Sequence, residues 1–301
     1  MAYRNIFITN EACLTLKNKS LRIENTLVDD TIPIEDIDTV LIENRRCTLS
    51  TALLSALAQS GVALFICDEM HMPCAVLLPY LQHSRQHEIT KRQLALSTPA
   101  KKRIWKQIVT AKIKNQAKCL ELSGLHEASQ EILQRAKHVK SGDSTHVEGH
   151  TAAKYFSVLF GENFIRTNDD EPRNAWLNYG YAIIRGLVAR TLAVYGFFAT
   201  MGIHHHSQLN QFNLADDFME PFRPLIDLFV AKNATVYTPL NSKAKYDLIN
   251  LINYNILMSG KKFALSYGIE LCIKSFSSML MGKRNDLLMP EIIALEQHRY
   301  E

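Results

Sequence analysis

The chain has 301 residues, 47% of them hydrophobic and 21% charged, the balance of an ordinary globular protein with room for two domains. Its longest apolar stretch, Tyr181 to Ile203, carries Arg185 and Arg190 in its middle, which excludes a membrane span. The formal charge of +4 is unevenly divided: residues 1–80 hold six Lys/Arg against ten Asp/Glu, a net of −4, leaving +8 for the rest. A basic second part beside an acidic first part points to the second as the part that meets a polyanion.

The opening Met1-Ala2-Tyr3-Arg4 runs into a strand-like segment rather than a signal peptide. Short β-type segments follow at Ile6–Ile8, Leu14–Leu16, Leu21–Ile23, Thr31–Ile34, Thr39–Ile42 and Ala63–Cys67, separated by Asn, Asp and Lys clusters. Asn18-Lys19 marks a hairpin turn, Ser50 to Ser60 a short helix ended by Gly61, and Met72–Leu77 a last strand. From about Ser84 the pattern is helical to the end. Helices are expected over Arg85–Leu96, Lys101–Leu122, Glu148–Phe160, Asn174–Ala199, Asp217–Ala231, Lys243–Met258 and Ser266–Met281, with a polar loop at Lys140–Ser144. Strands first and helices second predict an α+β, two-domain chain, with a β-rich domain over 1–80 and a helical domain over 81–301, rather than a βαβ sheet. Six cysteines without C-x-x-C or zinc spacing fit reduced thiols in a cytosolic compartment.

Four places carry candidate chemistry. Glu148 opens a helix, yet Thr145-His146-Val147-Glu148 also reads as a capping box, with the glutamate bonding back to the cap backbone. His204-His205-His206 is either a solvated turn or the source of one metal ligand. Asp217 and Glu220 stand three apart, so on a helix both carboxylates share a face; acids in a first turn, with Arg223 as an ion-pair partner, are the ordinary alternative. The helix beginning at Lys101 gathers Lys101, Lys102, Arg103, Lys106, Lys112, Lys114 and Lys118. This is a solvated face or a phosphate-contacting surface, with Trp105, Ile108, Val109 and Ile113 on the buried side. Two carboxylates and an imidazole make a mixed oxygen and nitrogen set suited to Mg²⁺ or Mn²⁺.

Taken in order, Glu148-Gly-His-x-Ala-Ala, Asn174-Ala-x-Leu-Asn-Tyr-Gly-Tyr181, Gly202-Ile-x-His205 and Asn-Gln-Phe-Asn-Leu-Ala-x-Asp217-x-Met-Glu220-Pro-Phe-Arg-Pro closely resemble the CRISPR-associated spacer-acquisition integrases, with Lys112-x-x-Asn-Gln116 as a further match. The branch most similar is the one that accompanies the single-protein, RNA-guided effector nuclease (type II). The resemblance spans essentially the whole chain. It implies a small N-terminal β-sandwich-like domain that dimerises and a larger all-α catalytic domain. It implies metal ligation by Glu148, His205 and Glu220, with Asp217 a further catalytic-site residue. The implied activity is insertion of captured DNA into a CRISPR array by 3′-hydroxyl attack on repeat phosphodiesters, in the cytoplasm. Implied partners are double-stranded DNA, a second copy of the chain and a small second adaptation protein in a heterohexamer, with the effector nuclease as a further candidate. A stand-alone metal nuclease and a non-catalytic DNA scaffold are the competing readings.

Overall fold

The computed structural model describes residues 4–79 and 86–299, which form two compact units. In the first, β1 (Arg4–Ile8), β5 (Ile37–Ile42) and β7 (Ala63–Cys67) run parallel, and β8 (Pro73–Leu77) closes the sheet antiparallel to β7. A second sheet has the order β4 (Asp29–Pro33), β3 (Ser20–Glu24), β2 (Cys13–Lys17) and β6 (Thr48–Leu49). The β2–β3 hairpin turns on Asn18 and Lys19, both at positive φ, the backbone that a two-residue turn between twisted strands requires. All six residues of β5 are buried, as befits a central parallel strand covered on both faces. Leu14, Leu21 and Ile32 from one sheet, Val40, Ile42 and Leu64 from the other, and Leu53 and Leu57 from α1 (Thr51–Gln59) share one apolar cluster. Ser50 caps α1 through Leu53 N–H, and Gly61 turns the chain at φ +70°. Because α1 lies between the parallel strands β5 and β7, this unit does contain a helical crossover, contrary to the expectation of no βαβ element. The continuous apolar runs Thr39–Ile42 and Ala63–Cys67 on either side of the Ser50–Ser60 helix were the signal for that crossover.

The second unit is built around α3 (Thr98–Leu122), a 25-residue helix capped by Ser97. Its neighbours are α4 (His126–Ala136), α5 (Val147–Phe160), α7 (Asn213–Met219) and α8 (Arg223–Asn233). Helix α2 (Gln86–Leu94) precedes it, and α6 (Pro172–Val194), α9 (Ser242–Asn250) and α10 (Leu265–Leu280) complete the helical set. The unit is not all-helical: β10 (Lys261–Ala264), β9 (Tyr254–Met258) and β11 (Pro290–Gln297) make a three-stranded antiparallel sheet. The segment expected to extend a helix to Met258 instead leaves it at Asn250 and enters β9. Ser259 and Gly260, both at positive φ, form the β9–β10 hairpin turn. A short apolar run such as Tyr254–Met258 fits helix and strand periodicity equally, and the Ser-Gly turn was the overlooked signal. Among the described residues no helix is long and apolar enough to cross a membrane.

Candidate metal and strand-transfer site

The α5 start settles how Glu148 is used. The cap comes from Asp143, whose carboxylate accepts hydrogen bonds from Val147 N–H and Glu148 N–H at 3.0 Å each, while His146 takes a left-handed backbone. The capping-box reading of Thr145–Glu148 is therefore replaced. The buried Asp143 supplies the helix end, and the glutamate side chain is free to turn toward α3.

There it meets Lys112. The ammonium lies 2.7 Å from Glu148 Oε1 and 2.6 Å from Glu220 Oε2. The second is an ionic contact rather than an aligned hydrogen bond, since Glu220 Oε2 is buried without a hydrogen-bond partner. Arg223 approaches the other oxygen of Glu220 at 3.1 Å and lies 4.7 Å over the Tyr181 ring. Burial alone would push the Glu220 carboxyl upward, but Lys112 and Arg223 outweigh it and hold the pKa below the usual value. For Lys112, burial lowers the pKa and the two glutamates raise it further, so the ammonium stays charged. Asn115, one turn along α3, donates to Pro221 C=O at 2.7 Å and to Pro290 C=O at 3.0 Å, and accepts from Ile292 N–H. It pins the turn that carries Glu220 against α3. The Lys112-x-x-Asn115 spacing thus places a cation and its clamp on one helix face.

Asp217 points elsewhere. It is fully buried, and its oxygens accept from the backbone N–H groups of Ile203, His204 and His205 and from His205 Nδ1 at 2.8 Å. The Asp217 hydrogen bond raises the His205 pKa against the opposing effect of burial. With Nδ1–H donated to Asp217, Nε2 is the nitrogen with a lone pair to offer. Gly202 is required by this packing: a Cβ there would stand 2.1 Å from His205 C=O and 2.9 Å from Asp217 Oδ2. Helix α6 stops at Val194, short of the expected Ala199, with Gly196 at φ +78°. His204 stacks on Trp105 with ring centroids 4.2 Å apart. Asn213 donates to Thr200 and Ser207 carbonyls, and Asn210 links Arg185 to Asp216, so the loop that carries the histidines is braced at both ends.

Glu148 and Glu220, read from distant motifs, therefore converge on one point, and Asp217 holds His205 by its ring. No group of three His, Cys, Asp or Glu side chains among the described residues is close enough to grip one ion. The donor chemistry nevertheless fits a hard cation: one buried and one half-buried carboxylate face the same positive charge. The residues read as a single DNA-contacting face disperse. Lys112 is buried, Lys106 and Lys114 line one groove with Lys118, and Arg103 lines another with Arg92 and Arg284. Lys102 lays its stem against Gly142, and Lys101 is partly exposed. Sequence reasoning missed the role of Lys112, although it falls on the same stripe as Trp105, Ile108 and Val109. A charge at that spacing within an apolar face was the available signal.

The 174–181 motif proves to be architectural. Asn174 donates to Ile165 and Asn168 carbonyls, a Cβ at Gly180 would meet Ile226 at 2.6 Å, and Tyr155 and Tyr181 hydroxyls both donate to the buried Asp227. Tyr179 and Tyr181 are buried.

Residues 6–236 match the family model described as CRISPR associated protein Cas1. The chain is 41% identical, over the whole of both chains, to the CRISPR-associated endonuclease Cas1 of Neisseria meningitidis serogroup C (strain 8013). Two solved structures share the fold. One is a casposase bound to integration product, with TM-score 0.76 and 21% identity over 95% of this chain and 92% of that one. The other is a Cas6-RT-Cas1–Cas2 complex, with TM-score 0.70 and 18% identity over 93% of this chain and 35% of that one. A match over most of the length, together with full-length identity at this level, establishes that the chain belongs to the CRISPR-associated Cas1 family.

Proposed function

We propose that this protein is a divalent-metal-dependent DNA integrase and endonuclease that inserts captured DNA fragments into a CRISPR array in the type II setting. The observation that carries the reading is the convergence of Glu148 and Glu220, from separate helical segments, on one cation position. Glu148, Glu220 and His205 Nε2 are the residues that would hold Mg²⁺ or Mn²⁺. The bound ion would polarise the attacked phosphate and stabilise the leaving oxygen. Asp217 fixes the imidazole tautomer and orientation, and Lys112 and Arg223 keep Glu220 ionised. Because the nucleophile is the DNA's own 3′-hydroxyl, no side chain becomes linked to DNA; one phosphodiester bond forms as another breaks, and the departing 3′-oxygen takes up the proton released by the attacking hydroxyl. The exposed Lys106, Lys114 and Arg103 contact backbone phosphates without reading sequence.

The relatives' descriptions support this reading: an endonuclease, a casposase with integration product and a complex with Cas2. By the same reasoning the first unit forms the homodimer, two dimers bridge a small second adaptation protein in a heterohexamer, and the assembly works in the cytoplasm, with the effector nuclease as a further partner. The test combines a linear fragment and a repeat-bearing plasmid with purified protein, with and without the small partner. Integration products should require the partner and Mg²⁺ or Mn²⁺. Glu148→Ala should reduce strand transfer about 10³-fold or more while DNA affinity stays within a few-fold, given the size of such electrostatic contributions. Products formed without the partner would favour a stand-alone nuclease, and unchanged transfer in Glu148→Ala would favour a scaffold.

A further inference from the structure

We infer that Lys112 is a resident counter-cation that occupies the divalent ion's place in the metal-free protein and must be displaced for the ion to enter. The inference rests on the reading of Glu148 and Glu220 as the cation-holding pair. The ammonium is buried and touches one oxygen of each carboxylate at 2.7 and 2.6 Å, a bridging arrangement rather than a side-on pair. A hard divalent ion sits about 2.1 Å from its carboxylate oxygens, so an ion between these two would overlap the nitrogen. The two cations exclude each other sterically as well as by charge.

The surroundings explain why the chain places a lysine there. Two carboxylates brought this close without compensation would repel, and a buried unpaired charge is strongly unfavourable. Lys112 and Arg223 together balance Glu148 and Glu220, so the site folds without metal. The two basic residues differ in place. Of the two glutamates, Arg223 pairs with Glu220, at Oε1 and away from the bridging position, and it is held over the Tyr181 ring. Lys112 sits on a flexible four-carbon stem able to withdraw its charge. The price of metal entry is thus set chiefly by one side chain.

The test is Mn²⁺ titration of the full chain, wild type against Lys112→Met, Arg223→Met, Lys112→Arg and Glu148→Gln, read both as bound Mn²⁺ and as the Mn²⁺-dependent rise in melting temperature. The second readout reports affinity even where a metal-free variant is partly unfolded. Lys112→Met should bind Mn²⁺ about tenfold or more tightly than wild type and show the larger thermal rise. Arg223→Met should gain clearly less, and Lys112→Arg should gain nothing, because the plug is retained. Equal gains for Lys112→Met and Arg223→Met would mean that net charge, not occupancy, governs entry, and would overturn the inference. So would unchanged or weaker binding by Lys112→Met when the wild type binds and Glu148→Gln does not. Absence of any Mn²⁺ response in all five proteins would instead sink the metal reading of the site itself.

Discussion

The two units of this chain solve different packing problems. In the first, sheets and helix close on an apolar cluster of Leu14, Leu21, Val40, Leu53, Leu57 and Leu64, all at most 1% exposed. In the second, the core around α3 admits Lys112, Asp217, Glu220 and Asp227, each buried and each paired with an opposite charge or a hydrogen-bond donor. An apolar core is stabilised roughly in proportion to buried area and tolerates conservative repacking. A core that buries ions gains little net stability from them and fails sharply when one partner is removed. The first unit also buries Asp38 and Glu43, but only in the second do buried charges of both signs gather around one helix.

Four variants sharpen the contrast. Leu14→Ala should cost about 2–5 kcal/mol in denaturant unfolding, the usual penalty for a buried cavity, and leave strand transfer per folded molecule unchanged. A specific loss of catalysis in that variant would erase the distinction between the units.

Asp227 offers a pH-resolved test in the other core. Its pKa is raised to about 6, chiefly by burial, which outweighs the hydroxyls of Tyr181 and Tyr155 and the nearby Arg223 and Arg166. Between roughly pH 4 and 6 the folded state keeps a proton that the unfolded chain has already lost, so this group's contribution to stability falls as pH rises. Asp227→Asn, which does not titrate, should therefore improve relative to wild type by up to about 3 kcal/mol between pH 4 and 7. Unfolding curves at both pH values measure this, and a constant difference would refute the raised pKa.

The smallest effect concerns the exposed lysines. Lys106→Ala and Lys114→Ala should shift stability by no more than about 0.5 kcal/mol. Each should lower the salt dependence of DNA binding by roughly one unit of slope. Filter binding across a salt series reads the second, and an unaltered slope would remove the groove they line from the DNA path.

Much of this was written locally. The Asn18-Lys19 turn, the Ser50 cap and the strands of the first unit follow from alternation and turn chemistry, which act over a few residues. The helix ends of α5 and α9 were harder. Asp143 displaced Glu148 as the cap through a left-handed turn at His146, and the chain left α9 for β9, which pairs with β10 across the Ser259-Gly260 turn and with the distant β11. Asp217 and Glu220 were visible as neighbours on a helix, but they part company: one is consumed by three backbone N–H groups and His205, the other faces Lys112.

What the sequence by itself determined was the identity of the charged groups, the segments that carry them and the split into a β-rich and a largely helical part, since these depend on local pattern and composition. Only the tertiary structure decided which charges meet. Whether Lys112 faces solvent or two carboxylates depends on α5 and the 220–222 turn closing over α3. The turn is held there by Asn115, whose partners at Pro221 and Pro290 lie far off in the chain.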